Sequence, residues 1–113
     1  MYPIREKRLA MVQQLYDQGT VYLAEQEYHR AIGSYLLALE IVEEWGTVSM
    51  AAALLHCLGS IYQQLELYPR AIHYFQRALT HLPDDDEALR TATLQQLNQV
   101  LQRQKSQRQL LFC

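Results

Sequence analysis

The chain has 113 residues, enough for one domain around one core. Its residues are 50% hydrophobic and 19% charged, which excludes a disordered chain. A net charge of −2 argues against a general nucleic-acid or membrane-surface binder.

Four Gly and three Pro, set among many Gln, Leu and Ala, point to an all-α chain, and the pattern along it divides into about five helices. The charged start at 1–8 is followed by no apolar signal core, and no apolar run reaches the ~20 residues of a membrane span. Two cysteines, Cys57 and Cys113, are too few for a disulfide framework, so a reduced, cytoplasmic compartment is the expectation.

Pro3 suits the entry to a first helix running from about Arg5 to Glu25, with Leu9, Val12, Leu15, Gly19 and Tyr22 on one face. The basic cluster Arg5, Lys7 and Arg8 at its start reads as a solvated helix end, with a docking patch for an acidic partner as the alternative. Gln26 and Glu27 form a tight turn. A second helix from Tyr28 to Trp45 turns Ala31, Ile32, Tyr35, Ala38, Leu39 and Val42 inward. Gly46 fits a stop that needs positive φ, and Thr47 or Ser49 can cap the next helix. Trp45 is expected in the loop between units, either as a plug or as a partner anchor.

The third helix spans about Val48 to Leu65 and the fourth Tyr68 to Leu82, with Pro69 tolerated in the first turn and Pro83 as the stop. Asp84 and Glu87 have capping-box spacing for a fifth helix from Asp85 to about Gln109. Leu110, Leu111, Phe112 and Cys113 form an apolar tail.

Gly19, Tyr22, Tyr28, Ala31, Tyr35 and Ala38 recur as Gly59, Tyr62, Tyr68, Ala71, Phe75 and Ala78, each 40 positions on. Six positions agreeing without a gap mark an internal repeat. The small residues leave room where two helices cross closely, and the aromatic ones fill the space beside them.

This pattern resembles the tetratricopeptide repeat (TPR) family. The second unit matches the family at Leu55, Leu58, Gly59, Tyr62, Tyr68, Ala71, Phe75, Ala78 and Pro83. The first matches at Leu15, Gly19, Tyr22, Tyr28, Ala31, Tyr35 and Ala38, and departs at Gln18, where Leu is usual, and at Glu43, where Pro is usual. Its period of 40 exceeds the usual length of about 34, which implies a longer second helix in the first unit. The resemblance implies stacked antiparallel helix pairs in a single domain over 1–113. Repeat one is expected at about 12–45, repeat two at about 52–85 and a capping helix at about 85–109. Thr93 and Gln96 are expected on the outward face of that cap, where a further helix pair would otherwise pack.

The resemblance further implies a protein partner, a peptide or helix, held in the concave groove lined by the first helix of each unit. Carried over by position, the groove residues are Gln13, Tyr16 and Thr20 in the first unit and His56, Ser60 and Gln63 in the second. Glu87, Arg90, Leu94 and Leu97 follow from the fifth helix. An adaptor, assembly-factor or co-chaperone role follows by analogy. The subclass that grips peptide carboxylates with Lys, Arg and Asn is not matched, because Asp17 and Cys57 lie near the Asn places and no Lys lines the groove.

No catalytic set, metal site or cofactor motif is expected. His29, His56, His73 and His81 lack ligand spacing, and adjacent His56 and Cys57 point about 100° apart on a helix. The acidic run 84–87 makes a poor calcium loop. The alternative function is a self-associating scaffold, joined through Leu94, Leu97, Leu101 and the tail residues Leu110, Leu111 and Phe112.

Overall fold

The computed structural model describes residues 3–111; Phe112, Cys113 and the side chain of Leu111, all part of the expected tail, lie outside the described residues. Among the described residues five helices follow in order: α1 (Ile4–Ala24), α2 (Tyr28–Trp45), α3 (Val48–Gln64), α4 (Tyr68–His81) and α5 (Glu87–Leu111). α1 pairs with α2 and α3 with α4; α3 then packs on α2, and α5 on both α3 and α4. Each pair is closed by a short turn, so its helices run antiparallel. No helix among the described residues is long and apolar enough to cross a membrane.

The repeat is set by two close approaches. A Cβ built on Gly19 would lie 2.9 Å from Tyr35 Cε1, and one on Gly59 would lie 2.7 Å from Phe75 Cδ1 and Cε1. The bare backbone at these two positions lets an aromatic ring of the following helix close the gap. Ala31, Ala38, Ala71 and Ala78 are fully buried beside those rings. Leu55, Leu58 and Phe75 have no exposed surface, and burying each contributes about 1.5–3 kcal/mol. The 18 residues of α2 against the 14 of α4 account for much of the long first period.

Gln18 departs from the repeat where only α2 packs on α1: it lines an open notch with Met11, Leu15, Leu37 and Ile41. Leu58 is enclosed because α3 has helix pairs on both sides. Gln18, 40 positions earlier, is exposed on the leading face of α1, where polar chemistry is stable.

The two intra-pair turns are identical in kind. After α1, Gln26 N–H donates to Leu23 O at 3.0 Å and Glu27 N–H to Tyr22 O at 2.8 Å, with Gln26 at φ 61°. After α3, Glu66 N–H donates to Gln63 O at 3.0 Å and Leu67 N–H to Tyr62 O at 2.9 Å, with Glu66 at φ 60°. Both are Schellman stops, built here without the glycine that usually occupies the left-handed position.

Several local expectations are corrected. Gly46 closes α2 in an extended conformation (φ −101°, ψ −160°), not at positive φ. Its reason for being glycine is space, since a Cβ would fall 2.9 Å from Val42 Cγ1. Trp45 is the last residue of α2 rather than part of a loop; it is half-buried, and its carbonyl accepts from Arg5 Nε at 3.0 Å. Thr47, not Ser49, caps α3, accepting from Met50 N–H at 3.2 Å. At the start of α5, Asp86 rather than Asp84 accepts from Leu89 N–H, at 3.3 Å. The helix therefore begins at Glu87, two residues later than the capping-box spacing implied.

Thr93 and Gln96 of α5 do not look outward as expected. Thr93 is completely buried and Gln96 half-buried, both against α3.

Candidate binding groove

α1, α3 and α5 stand side by side as the first helices of successive units. They are not evenly spaced: α3 and α5 approach closely, whereas α1 and α3 do not. That difference leaves two notches of different chemistry on either side of α3.

The wider gap, between α1 and α3, leaves a notch of about 200 Å³ lined by Val12, Gln13, Tyr16, Met50, Ala53 and Leu54. Apart from Gln13 and the Tyr16 hydroxyl, its lining is hydrocarbon or thioether. Tyr16 is 39% exposed, and its ring leans on buried Tyr35 with centroids 5.6 Å apart. Thr20 fixes that arrangement: its hydroxyl donates to Tyr16 O at 2.9 Å and lies 3.1 Å from the Tyr35 hydroxyl. Gln13 donates to Asp17 Oδ1 at 2.9 Å, so one of its amide hydrogens is already engaged.

Cys57 faces Tyr16 across the gap. The Cys57 charge, followed by burial, raises the Tyr16 hydroxyl above its usual range. Burial pushes the Cys57 thiol up, partly offset by the hydrogen bond from Tyr16. Both groups are therefore neutral near pH 7, and Cys57 is an inert thiol rather than a nucleophile.

The narrower gap, between α3 and α5, is laced by polar side chains. The Ser60 hydroxyl donates to Gln96 Oε1 at 2.8 Å, and Gln63 Nε2 lies 3.4 Å from Gln99 Oε1. Gln96 Nε2 meets His56 Nε2 at 3.4 Å, and His56 Nδ1 shares a 2.8 Å hydrogen bond with the Thr93 hydroxyl. Since the Gln96 amide nitrogen only donates, His56 Nε2 accepts and Nδ1 carries the proton given to Thr93. Neutral imidazole suits this relay, and burial holds the His56 pKa below its ordinary value. His56 and Cys57 thus face opposite flanks of α3, toward α5 and α1 respectively.

Beside this lacing lies a larger notch of about 590 Å³, lined by glutamines 63, 64, 95, 96 and 99 together with Ser60, Arg103 and others. Such amides offer both donors and acceptors, the chemistry that engages a polypeptide backbone.

Of the residues expected in the groove, Gln13 and Tyr16 come together at the apolar notch, and Ser60 and Gln63 at the amide notch. Thr20 and His56 stand on the same surface but are committed to neighbours. The four from α5 do not line it. Leu97 is 8% exposed and belongs to the core, which also removes it from any self-association surface. Arg90 donates to Pro83 O at 3.0 Å and braces the α4–α5 loop. Glu87 lies exposed at the helix start, and Leu94 projects from the other shoulder of α5, well over 90° around the helix from Ala92 and Gln99.

Met50, Ala53, Leu54, Gln95, Gln99 and Arg103 were missed. The repeat itself signals Ala53, which lies 40 positions after Gln13.

The tetratricopeptide repeat family model matches residues 52–85, spanning most of α3 and all of α4. No curated protein sequence matches the chain. A matched second pair, a first pair of the same geometry and five helices among the described residues together fit a TPR-like repeat protein. A repeat of this kind points to protein–protein interaction.

Proposed function

We propose that the chain is an adaptor-type binding module that holds one extended segment of a partner protein along its concave face. The observation carrying this reading is the open apolar notch between α1 and α3, on the same face as an amide-lined notch. Along α3 they are centred about ten residues, or about 15 Å, apart. An extended segment covers that distance in about five residues. Such a segment would seat one apolar side chain against Tyr16, Met50 and Ala53, and lay its backbone across Gln63, Gln95 and Gln99. An assembly-factor or co-chaperone role is the corresponding cellular reading, in a cytoplasmic setting.

The test is capture of partner from native extract by three forms of the protein. Ala53→Glu places a charge in the notch from an exposed position, without touching the core. His73→Ala alters an exposed position on α4, away from the groove. The expected result is a partner held by wild type and His73→Ala and lost by folded Ala53→Glu. Equal retention by all three would remove the notch as the site.

A further inference from the structure

α5 carries a strip that neither the core nor the groove uses. Leu94 and Leu101 are 42% and 43% exposed, whereas Leu97 and Val100 are 8% and 0% exposed. Residues seven apart share a helix face, so the two leucines stand in line on one shoulder of α5. Asn98 lies exposed between them.

The charges of this helix are segregated along its length. Its entry is acidic, with Asp84, Asp85, Asp86 and Glu87 in succession. From Ala88 to Leu111 the chain carries Arg90, Arg103, Lys105 and Arg108 and no acidic residue. Glu87 and Arg108 are about 31 Å apart along one helix and cannot meet within a chain.

Such a helix is complementary to itself in one direction only. Parallel copies would stack acid on acid and base on base. An antiparallel two-fold axis between Leu97 and Asn98 sets Leu94 of one copy against Leu101 of the other, twice. The same axis sets Glu87 against Arg108, also twice, and opposes the helix dipoles. It brings Arg90 near Lys105, but the Arg90 guanidinium is drawn aside to the Pro83 carbonyl at 3.0 Å.

We propose that the exposed shoulder of α5 is an antiparallel two-fold interface with a second copy of this chain, Leu94 against Leu101 and Glu87 against Arg108. The strip lies on the flank of α5 turned away from the amide notch, so the pairing leaves the groove open and is independent of its role. With two leucines per copy at its centre, the interface belongs to the small, concentration-dependent class below about 1,200 Å².

The test is sedimentation of the full chain from about 1 to 200 μM, at low and high salt, with circular dichroism of each variant as the folding control. Wild type is expected to pass from monomer to dimer, with a weaker dimer at high salt. Leu94→Asp should remain monomeric throughout; Leu101→Asp provides the same test should the first variant unfold. Glu87→Lys should weaken the dimer about tenfold, because a repulsion replaces an attraction at two symmetric places. Adding Arg108→Glu to Glu87→Lys should restore it. A wild-type monomer at every concentration, a dimer indifferent to both aspartate substitutions, or a double charge swap weaker than Glu87→Lys alone would each overturn the proposal.

Discussion

Gly59 lies directly against the ring of Phe75: a Cβ at Gly59 would stand 2.7 Å from two ring carbons of a side chain with no exposed surface. The ring is enclosed and cannot swing away, so even one methyl group must push α3 and α4 apart. Alanine gains about 1 kcal/mol over glycine in helix propensity, but overpacking costs about 1–3 kcal/mol. Gly59→Ala should therefore be net destabilising and Gly59→Leu severely so. Gly33 provides the opposite control, since nothing lies within 4 Å of its would-be Cβ. Gly33→Ala should stabilise α2 by up to about 1 kcal/mol. Denaturant midpoints check both; a stabilised Gly59→Ala would remove the close crossing as the basis of the repeat.

The Schellman stop after α3 makes a separate prediction. Glu66 holds φ 60°, a region that costs a β-branched residue most. Glu66→Val should lower stability by about 1–3 kcal/mol, while Glu66→Gly should be neutral or better. Thermal melts that rank valine above glycine would contradict the turn geometry.

Acid should loosen the docking of α5. The folded-state pKa of His56 is depressed by burial, so at moderately acidic pH the unfolded chain takes up a proton that the folded chain refuses. The stability associated with neutral His56 is full above the ordinary histidine value of about 6.5 and is lost as pH falls from there through the depressed value. Protonation would also place an N–H against the Gln96 amide nitrogen, removing that hydrogen bond. Wild type should accordingly lose more stability than His56→Gln between about pH 7.5 and 5.5. Parallel pH profiles of the two would show that His56 does not titrate differently on folding.

The helix pairs were legible because their cause is local steric matching: Gly19 with Tyr35 and Gly59 with Phe75 recur at one period. The turns were less so, since Gln26 and Glu66 occupy a conformation that sequence normally announces with glycine, and Gly46 serves space rather than φ. α5 was misread for a physical reason. It buries Thr93 and half-buries Gln96 against α3 while exposing Leu94 and Leu101, so the repeat register, carried onto α5, points to the wrong face. Gln13, Tyr16, Ser60 and Gln63, carried over from the family's groove positions, line the two notches, whereas Met50 and Leu54 carry no mark in the sequence that sets them apart from core residues. The unequal spacing of α1, α3 and α5, which creates two different notches, is a tertiary property that no periodicity encodes.

Site-specific photocrosslinking in native extract tests the central claim most directly. A photoreactive side chain is placed at Ala53 in the apolar notch, at Gln99 in the amide notch, or at His73 away from the groove. The groove account predicts that positions 53 and 99 capture the same segment of one partner, at attachment points about five residues apart, and that position 73 does not. Capture at position 73 alone, or of unrelated segments from 53 and 99, would contradict it.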